Sequence, residues 1–382
     1  MAYGATSSAP TVLVTSSTSF LGAHTVLELV RRGYLVKAGV PSVALARQFL
    51  KQHPACAPAL EWTILPSLTS PRAVEEAVRD VDYVIHVCAP FAMEYEDPMD
   101  VLLPAVEGTH ALLAAAARQP RVKHVVLTSS LGAVLDPSRG LAPGITYTPS
   151  SWNPATWESA LAASDSVELH LASKTLTERS AWDFLSTFNP SFALTTFCPP
   201  VILGPPAQPL ADLSPQSLGE SVGQAWQILS GAYDPLPPTR FPLFVDVRDL
   251  ARMEVAALGR PETMGRRFLA VGGEFSNSQI TALVRLQYPS EPRLPRTPPT
   301  KPGRHSRVDV INTEAVFGTE WTSLAQSVRD MAEVLFSRER ELRKEEKGRV
   351  WWSRTTGGRT SPDDTDRLEI THVEGMMTVE VA

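Results

Sequence analysis

The sequence predicts an α/β fold, a doubly wound parallel sheet followed by a smaller lobe. Apolar strands alternate with helices from residue 11 to residue 128, which is the order of βαβ units. The segment 81–87 (VDYVIHV) is a near-continuous apolar run, typical of a parallel strand buried on both faces. After residue 204 the chain becomes rich in proline and small polar residues, which indicates a less regular second lobe.

The first βαβ unit begins at residues 11–32 (TVLVTSSTSFLGAHTVLELVRR). A short run of β-formers is followed by small polar residues and then by an amphipathic helix. In dinucleotide-binding folds this turn carries three glycines, two for the pyrophosphate and one for helix–strand packing. The three positions are Ser16, Ser19 and Gly22. The packing glycine is therefore present, and serines replace both phosphate glycines.

The remaining elements follow from hydrophobic periodicity and from helix and strand breakers. Strands are predicted at 34–40, 62–65, 81–87, 122–128 and 192–197, with a further strand starting at 244. Helices are predicted at 42–53, 70–79, 99–118, 166–188, 217–229 and 321–338. Asp249 is expected to be the N-cap of the helix that follows the strand near 244. The proline-rich stretch 289–303 reads as an ordered connector.

These elements predict four segments along the chain. The charged, breaker-rich composition after residue 339 is typical of a disordered tail. The segments are a flexible N-terminus (1–10), a Rossmann-type domain (11–203, with a strand and helix near 244–259), a region that is mainly substrate lobe (204–339) and the charged tail (340–382).

Composition excludes several classes of function. The net charge is −6 and no basic block occurs before the far C-terminus, which disfavours nucleic-acid binding. Cys56, Cys88 and Cys198 are far apart, so neither a disulfide framework nor a metal site is indicated. No apolar run reaches the roughly 18–20 residues of a membrane span, and no secretory signal is evident. We expect a cytoplasmic protein, and no feature of the sequence fixes its oligomeric state.

Five further stretches carry a family resemblance. They are VDYVIHVCAPF (81–91), VVLTSSLGAV (125–134), SWNPATWES (151–159), ASKTLTERSAWDF (172–184) and FVDVRDLA (244–251). In this order and at these intervals, the chain resembles the extended short-chain dehydrogenase/reductases. Within them it resembles the methylglyoxal/aldehyde reductase and dihydroflavonol reductase-like group of the NAD-dependent epimerase/dehydratase superfamily. The resemblance covers all of the chain except the charged tail.

The resemblance implies reduction of a small-molecule carbonyl compound with NADP(H), by a serine, a tyrosine and a lysine. The serine falls at Ser130 or Ser129, with Ser130 favoured, and the lysine falls at Lys174. The tyrosine position is occupied by His170. The residues that the resemblance assigns to the cofactor are Ser16, Ser19, Phe20, Leu21, Gly22, Ser67, Lys174 and Pro200.

Two more cofactor positions depart from the family pattern. Pro41 replaces the arginine that meets the 2′-phosphate, and Ser67 replaces the aspartate that meets the adenine. If Ser16 has a glycine-like positive φ, the strain costs about 1–2 kcal/mol. The lost arginine contact costs about 1.5–3 kcal/mol. Together these terms predict NADPH binding weakened by about two to three decades, although Arg47 could reach the 2′-phosphate.

His170 and Lys174 are four residues apart and share one face of the predicted helix. The lysine charge is expected to lower the pKa of the imidazole below about 6.5, which favours a base over an acid. For three other residues we expect structural roles rather than chemical ones. His86 is expected to be a satisfied core histidine, and Trp152 and Trp157 are expected to pack rather than to line a pocket.

Three hypotheses follow from these residues. The first is an NADPH-dependent carbonyl reductase in which His170 replaces the tyrosine and in which activity rises as the pH falls. The second is a non-redox enzyme of the isomerase, cyclase or dehydratase type, in which Ser130, His170 and Lys174 handle protons. The third is a non-catalytic binding protein. The family resemblance favours the first.

Overall fold

Strands and helices alternate through the first half of the chain, as predicted. The computed structural model describes residues 9–87, 95–318, 320–356, 370–373 and 376–379. Within these residues the strands are β1 (Thr11–Val14), β2 (Leu35–Val40), β3 (Leu60–Ile64), β4 (Tyr83–Val87), β5 (His124–Thr128), β6 (Thr146–Tyr147), β7 (Ala193–Cys198), β8 (Val201–Leu203), β9 (Leu243–Asp246), β10 (Arg266–Leu269), β11 (Gly273–Glu274), β12 (Arg307–Val308), β13 (Ile370–Val373) and β14 (Met376–Val379).

Up to α6 the helices agree with the sequence-based bounds to within a few residues, except that the short helix α5 was not predicted. They are α1 (Phe20–Arg31), α2 (Val43–Gln52), α3 (Pro71–Ala77), α4 (Met99–Ala117), α5 (Trp157–Leu161), α6 (Ser166–Phe188), α7 (Pro215–Leu218), α8 (Glu220–Leu229), α9 (Val247–Ala257), α10 (Asn277–Gln287), α11 (Ile311–Phe317) and α12 (Leu324–Thr356). Three predictions fall partly or wholly on residues outside those described: the flexible start, the end of the 81–91 motif with Cys88, and parts of the tail.

The central sheet has the strand order β10-β7-β5-β4-β1-β2-β3, and all seven strands are parallel. The antiparallel pair β13 and β14 joins it beside β3. The order reverses between β1 and β4, and in such sheets ligands bind at the carboxyl ends of the strands near that point. The predicted doubly wound parallel sheet is confirmed.

Helices cover both faces of this sheet. Helices α1, α2 and α9 pack on one face around Val12, Val26 and Phe49, and helices α3, α4 and α6 pack on the other around Leu13 and Leu112. Helix α4 is long and apolar enough to cross a membrane by length and composition. Leu102, Leu112 and Leu113 of this helix are buried, and α4 packs against α6, which accounts for much of that composition within the fold.

The second lobe has its own core. Residues from α8, α10 and α12 pack there around Trp226, Ile280 and Phe336, together with Phe244 from β9. A small sheet, β11-β9-β8, joins the lobe to the main domain, because β8 follows β7 after two residues and β9 leads directly into α9. The lobe therefore lies over the carboxyl end of the main sheet.

The predicted N-cap of α9 is wrong by three residues. Asp246 caps this helix, and its Oδ1 accepts from the N–H of Arg248 at 2.8 Å. Asp249 lies inside the first turn, buried, where Oδ2 accepts from the N–H of Thr322 at 2.7 Å. Asp249 also forms an ion pair with Arg252. Its role is to tie α9 to the segment that leads into α12.

The last helix is longer than the sequence predicted. We expected it to end near Arg338 and the tail to be disordered from residue 340, but α12 continues to Thr356. Glutamate, lysine and arginine are good helix formers, and here they also pair along the helix. Arg338 is 3.1 Å from Glu341, and Arg343 is 2.8 Å from Glu339. The predicted end of this helix is therefore wrong, and the disorder predicted for the rest of the tail stays a prediction.

Candidate active site

A cavity of about 380 Å³ lies between the carboxyl end of the main sheet and the second lobe. Ser130 and Pro200 reach it from the ends of β5 and β7, and His170 reaches it from α6. The lobe contributes Glu220 from α8, and much of the remaining wall is apolar. That apolar wall includes Leu131, Leu171, Ile228, Phe241 and Phe275.

The two adjacent serines after β5 have different environments. Ser130 is half-buried on the cavity wall, and its Oγ accepts from the N–H of Gly132 at 3.0 Å. Ser129 is buried and donates to Oε2 of Glu178 at 2.6 Å. The hydroxyl of Ser130 is therefore the one exposed to a ligand in the cavity, and Ser129 belongs to the packing beneath it.

His170 and Lys174 lie one turn apart on α6, as the spacing predicted. Burial, and to a smaller extent the charge of Lys174, lower the pKa of His170 to about 3. The imidazole is therefore neutral between pH 5 and pH 8, in the direction expected from the sequence. The imidazole is protonated only below that pH range. Titration of His170 therefore gives the activity no pH dependence near neutrality.

A carboxylate that the sequence did not single out faces His170. Oε2 of Glu220 is 3.7 Å from Nε2 of His170, and both side chains line the cavity. Burial raises the pKa of Glu220, while the charge of Lys174 opposes that rise. Glutamate is common in the first turn of a helix, so the sequence alone does not mark Glu220 as a site residue. Its role becomes visible only in the folded protein, where the second lobe packs on the sheet.

The turn between β1 and α1 has no glycine-like backbone at the serine positions. Among the described non-glycine residues, positive φ occurs at Asp80, Ala142 and Asn189. The strain expected at Ser16 is therefore absent, and the corresponding part of the predicted loss of affinity does not arise. Gly22 is required, because a Cβ there would lie 1.8 Å from the carbonyl oxygen of Ser16.

Both serine hydroxyls have hydrogen-bond partners, that of Ser19 inside the turn and that of Ser16 at the end of β4. Oγ of Ser19 donates to the carbonyl of Ser16 at 2.8 Å and accepts from the N–H of Gly22 at 3.2 Å, which makes Ser19 the N-cap of α1. Oγ of Ser16 donates to the carbonyl of Val87 at 3.4 Å. The first-turn N–H groups at Phe20 and Leu21 have no intrahelical acceptor, as at any helix start, and a helix N-terminus favours phosphate.

The adenosine side of the expected cofactor site is more altered. Pro41 is exposed directly after β2, and Ser67 is exposed after β3, where its hydroxyl lies 2.8 Å from that of Thr69. Arg47 on α2 has a buried Nε with no hydrogen-bond partner among the described residues. Arg47 therefore stays the candidate partner of a 2′-phosphate on this side of the expected site.

Trp152 packs as expected, whereas Trp157 is exposed at the start of α5, so the packing expected of Trp157 is wrong. Arg267 stacks on the Trp152 ring at 3.8 Å, and Arg179 lies 5.3 Å from it. Arg267 also donates to both carboxylate oxygens of buried Glu178, at 2.8 and 2.9 Å. Because Ser129 binds the same carboxylate, this buried ion pair holds the segment that carries Ser130.

Two further histidines, His86 and His124, are structural. His86 is buried, with Nδ1 3.0 Å from Oγ1 of Thr15 and Nε2 3.1 Å from Oγ1 of Thr109. His124 is buried beside Oγ1 of Thr195 at 2.8 Å. Within the described residues no group of histidine, cysteine and acidic side chains is suited to hold a metal ion.

Comparison with known proteins gives the class of this chain. Residues 13–159 match the 3-beta hydroxysteroid dehydrogenase/isomerase family. The chain is 35% identical over 286 residues to a ketoreductase of Aspergillus niger, covering 73% of this chain and 82% of that protein. It is 32% identical over 286 residues to an uncharacterized putative oxidoreductase of Schizosaccharomyces pombe, covering 73% and 83%. The chain belongs to the extended short-chain dehydrogenase/reductases.

Two solved structures of reductases are similar to this chain over most of its length. The crystal structure of the yeast methylglyoxal/isovaleraldehyde reductase complexed with NADPH aligns with a TM-score of 0.78 and 26% identity, over 86% of this chain and 99% of that one. The corresponding NADPH complex from Candida albicans aligns with a TM-score of 0.76 and 27% identity over the same shares. This chain is therefore a member of the reductase group of that family, as the resemblance indicated.

Proposed function

We propose that this protein reduces a carbonyl compound with NADPH. The observation that carries the proposal is the convergence of Ser130, His170 and Pro200 on one cavity at the carboxyl end of the sheet, where members of this fold bind their ligands. The helix start at Ser19 and the close packing at Gly22 support the proposal, because a helix N-terminus favours phosphate. Relatives named as ketoreductases and as NADPH-dependent methylglyoxal reductases support the same reaction.

Each site residue has a role in this proposal. Bound NADPH supplies the hydride. The hydroxyl of Ser130 and an N–H of neutral His170 donate hydrogen bonds to the carbonyl oxygen, where negative charge develops. The positive charge of Lys174, one turn below His170, stabilises that developing charge. The cofactor itself is held by the turn at residues 16–22, with Ser67, Lys174 and Pro200 as further contacts.

The size and lining of the cavity favour a substrate with an apolar body. Its volume of about 380 Å³ is within the range of sites for drug-sized ligands, and Leu131, Ile228 and Phe275 form part of the wall. We therefore expect aryl or long-chain ketones to be reduced with a higher kcat/KM than methylglyoxal. We propose a small-molecule carbonyl compound as the partner and a cytoplasmic location.

Turnover with a panel of carbonyl compounds tests the proposal. The purified full chain is incubated with NADPH and methylglyoxal, isovaleraldehyde or an aryl ketone, and both NADPH loss and alcohol formation are followed. One molecule of alcohol is expected to form for each NADPH consumed. Lys174→Ala should lower the rate of this reaction by about 10²-fold or more. If no member of the panel consumes NADPH above the rate of the Lys174→Ala control, the proposal is wrong.

A non-redox proton transfer is the second candidate. The observation that favours it is the neutral imidazole of His170 beside the carboxyl group of Glu220, a pair suited to moving a proton next to a carbonyl group. It predicts that a carbonyl substrate is isomerised or dehydrated without added nicotinamide. Deuterium uptake from heavy water into substrate carbon, in the absence of NADPH, separates this candidate from the reductase.

A further inference from the structure

An acidic group of the site, Glu220, comes from the second lobe. Glu220 is the first residue of α8, and its side chain crosses to the α6 side of the cavity. Its Oε2 is 3.7 Å from Nε2 of His170, with 29% of the Glu220 side chain and 17% of the His170 side chain exposed. No residue of the five family motifs lies in α8, so this contact is outside the pattern that identified the chain.

Among the residues that the structure describes, the charged groups around this pair are few. Lys174 on α6 acts on both His170 and Glu220. Gln224, one turn along α8, donates from Nε2 to Oε1 of Glu220 at 3.5 Å. Two more basic residues line the cavity, Arg240 and His305. Arg240 pairs with Asp165 at 3.5 Å and His305 lies 3.3 Å from Glu274, so the acidic partners of these two residues are not Glu220.

Reduction of a carbonyl group needs one proton as well as a hydride. A phenol next to a lysine can give up its proton, but a neutral imidazole that gives up its only N–H proton becomes a high-energy anion. His170 can donate one proton only if its second ring nitrogen gains another at the same time. The group that faces Nε2 therefore decides whether His170 can replace the tyrosine.

We propose that Glu220 acts through His170 as the proton source of the site. The carboxyl proton of Glu220 passes to Nε2 of His170, and the proton on the other ring nitrogen passes to the substrate oxygen as the hydride reaches the carbonyl carbon. The imidazole remains neutral with its tautomer exchanged, and Glu220 becomes a carboxylate. Solvent then returns a proton to Glu220. This inference rests on the proposed reductase function and names the residue that completes it.

The protonation states agree with this direction of transfer. Burial raises the pKa of Glu220, so a larger fraction keeps its proton than for an exposed glutamate at the same pH. The distance of 3.7 Å is longer than a hydrogen bond, which is common for catalytic pairs before substrate binds. Activity should therefore be high at low pH and fall as pH rises through a value above 4.5, because Glu220, rather than His170, loses its proton.

The test compares Glu220→Gln in two backgrounds. Glutamine keeps the size of the side chain and a partner for Gln224 but has no acidic proton. In the wild-type background kcat should fall about 10²-fold with little change in KM, and the decline of kcat with rising pH should disappear. In the His170→Tyr background the phenol supplies its own proton beside Lys174, so the same substitution should cost less than about threefold.

Glu158→Gln is the matched control, because Glu158 is an exposed glutamate on α5 outside the cavity. Equal loss of activity in both backgrounds, or an unchanged pH profile in Glu220→Gln, would overturn the proposal and leave the reductase function standing. If the wild type itself does not consume NADPH with any carbonyl compound, the proposed function fails and this inference fails with it. If the His170→Tyr variant does not fold, the pH profile of kcat for Glu220→Gln in the wild-type background decides whether Glu220 is the proton source.

Discussion

Glu254 provides a quantitative test of how the sheet and α9 fit together. It is fully buried, Oε1 accepts from Oγ1 of Thr128 at 2.6 Å, and Oε2 has no partner among the described residues. Burial raises the pKa of this carboxyl group from 4.5 to about 8, against the smaller effect of the Thr128 hydrogen bond. Glu254 is therefore protonated in the folded protein at neutral pH.

This shift makes the free energy of unfolding depend on pH. Between pH 4.5 and pH 8 the folded protein keeps the Glu254 proton, whereas the unfolded chain releases it. The contribution of Glu254 to stability is therefore greatest below pH 4.5 and is lost as the pH rises. Each pH unit in this window costs about 1.4 kcal/mol, so the loss between pH 5 and pH 7.5 is about 3 kcal/mol.

Glu254→Gln removes the titration and keeps an oxygen for Thr128. Relative to wild type, the variant should gain about 3 kcal/mol of stability between pH 5 and pH 7.5, measured by urea unfolding at both values. Other titrating groups cancel in this difference, and Glu158→Gln, which changes an exposed glutamate, should show no such gain. A constant difference between variant and wild type at the two pH values would refute the buried, protonated state of Glu254.

Three further predictions concern the turn, the cofactor and the ion pair. Gly22→Ala should lower Tm and abolish NADPH binding in calorimetry, because its Cβ would overlap the carbonyl of Ser16. Arg47→Ala should weaken NADPH binding by about 1.5–3 kcal/mol without affecting NADH; equal losses for both would contradict the assignment. Arg267→Met should cost about 3–5 kcal/mol in urea unfolding, since it leaves buried Glu178 unpaired, and a loss below 1 kcal/mol would contradict that.

The sequence predicted those parts of the molecule that local patterns encode. Helix α6 begins at residue 166 and ends at residue 188 as expected, because Asp165 caps its start and Asn189 adopts the left-handed conformation at its end. The spacing of His170 and Lys174 on that helix follows directly. The sequence also favoured Ser130 over Ser129 as the site serine, and Ser130 is the one on the cavity wall. The role of Ser130 in catalysis remains a prediction.

The parts that were missed depend on contacts distant in sequence. Glu220 meets His170 across fifty residues, and only the docking of the lobe brings them together. The sequence left open whether Ser16 has a strained, glycine-like φ, and in the structure its φ is not positive. The hydroxyl of Ser19 closes the turn on the carbonyl of Ser16, and the hydroxyl of Ser16 binds the end of β4. Asp249 looked like a cap by composition, yet Thr322, far along the chain, is its partner.

Binding of NADPH is the most direct test of the whole account. Calorimetric titration of the full chain with NADPH should give a Kd in the micromolar range or below, and NADH should bind more weakly because it lacks the phosphate that Arg47 would meet. Heat of binding that is absent at millimolar NADPH would contradict the claim that the turn at residues 16–22 still holds a dinucleotide.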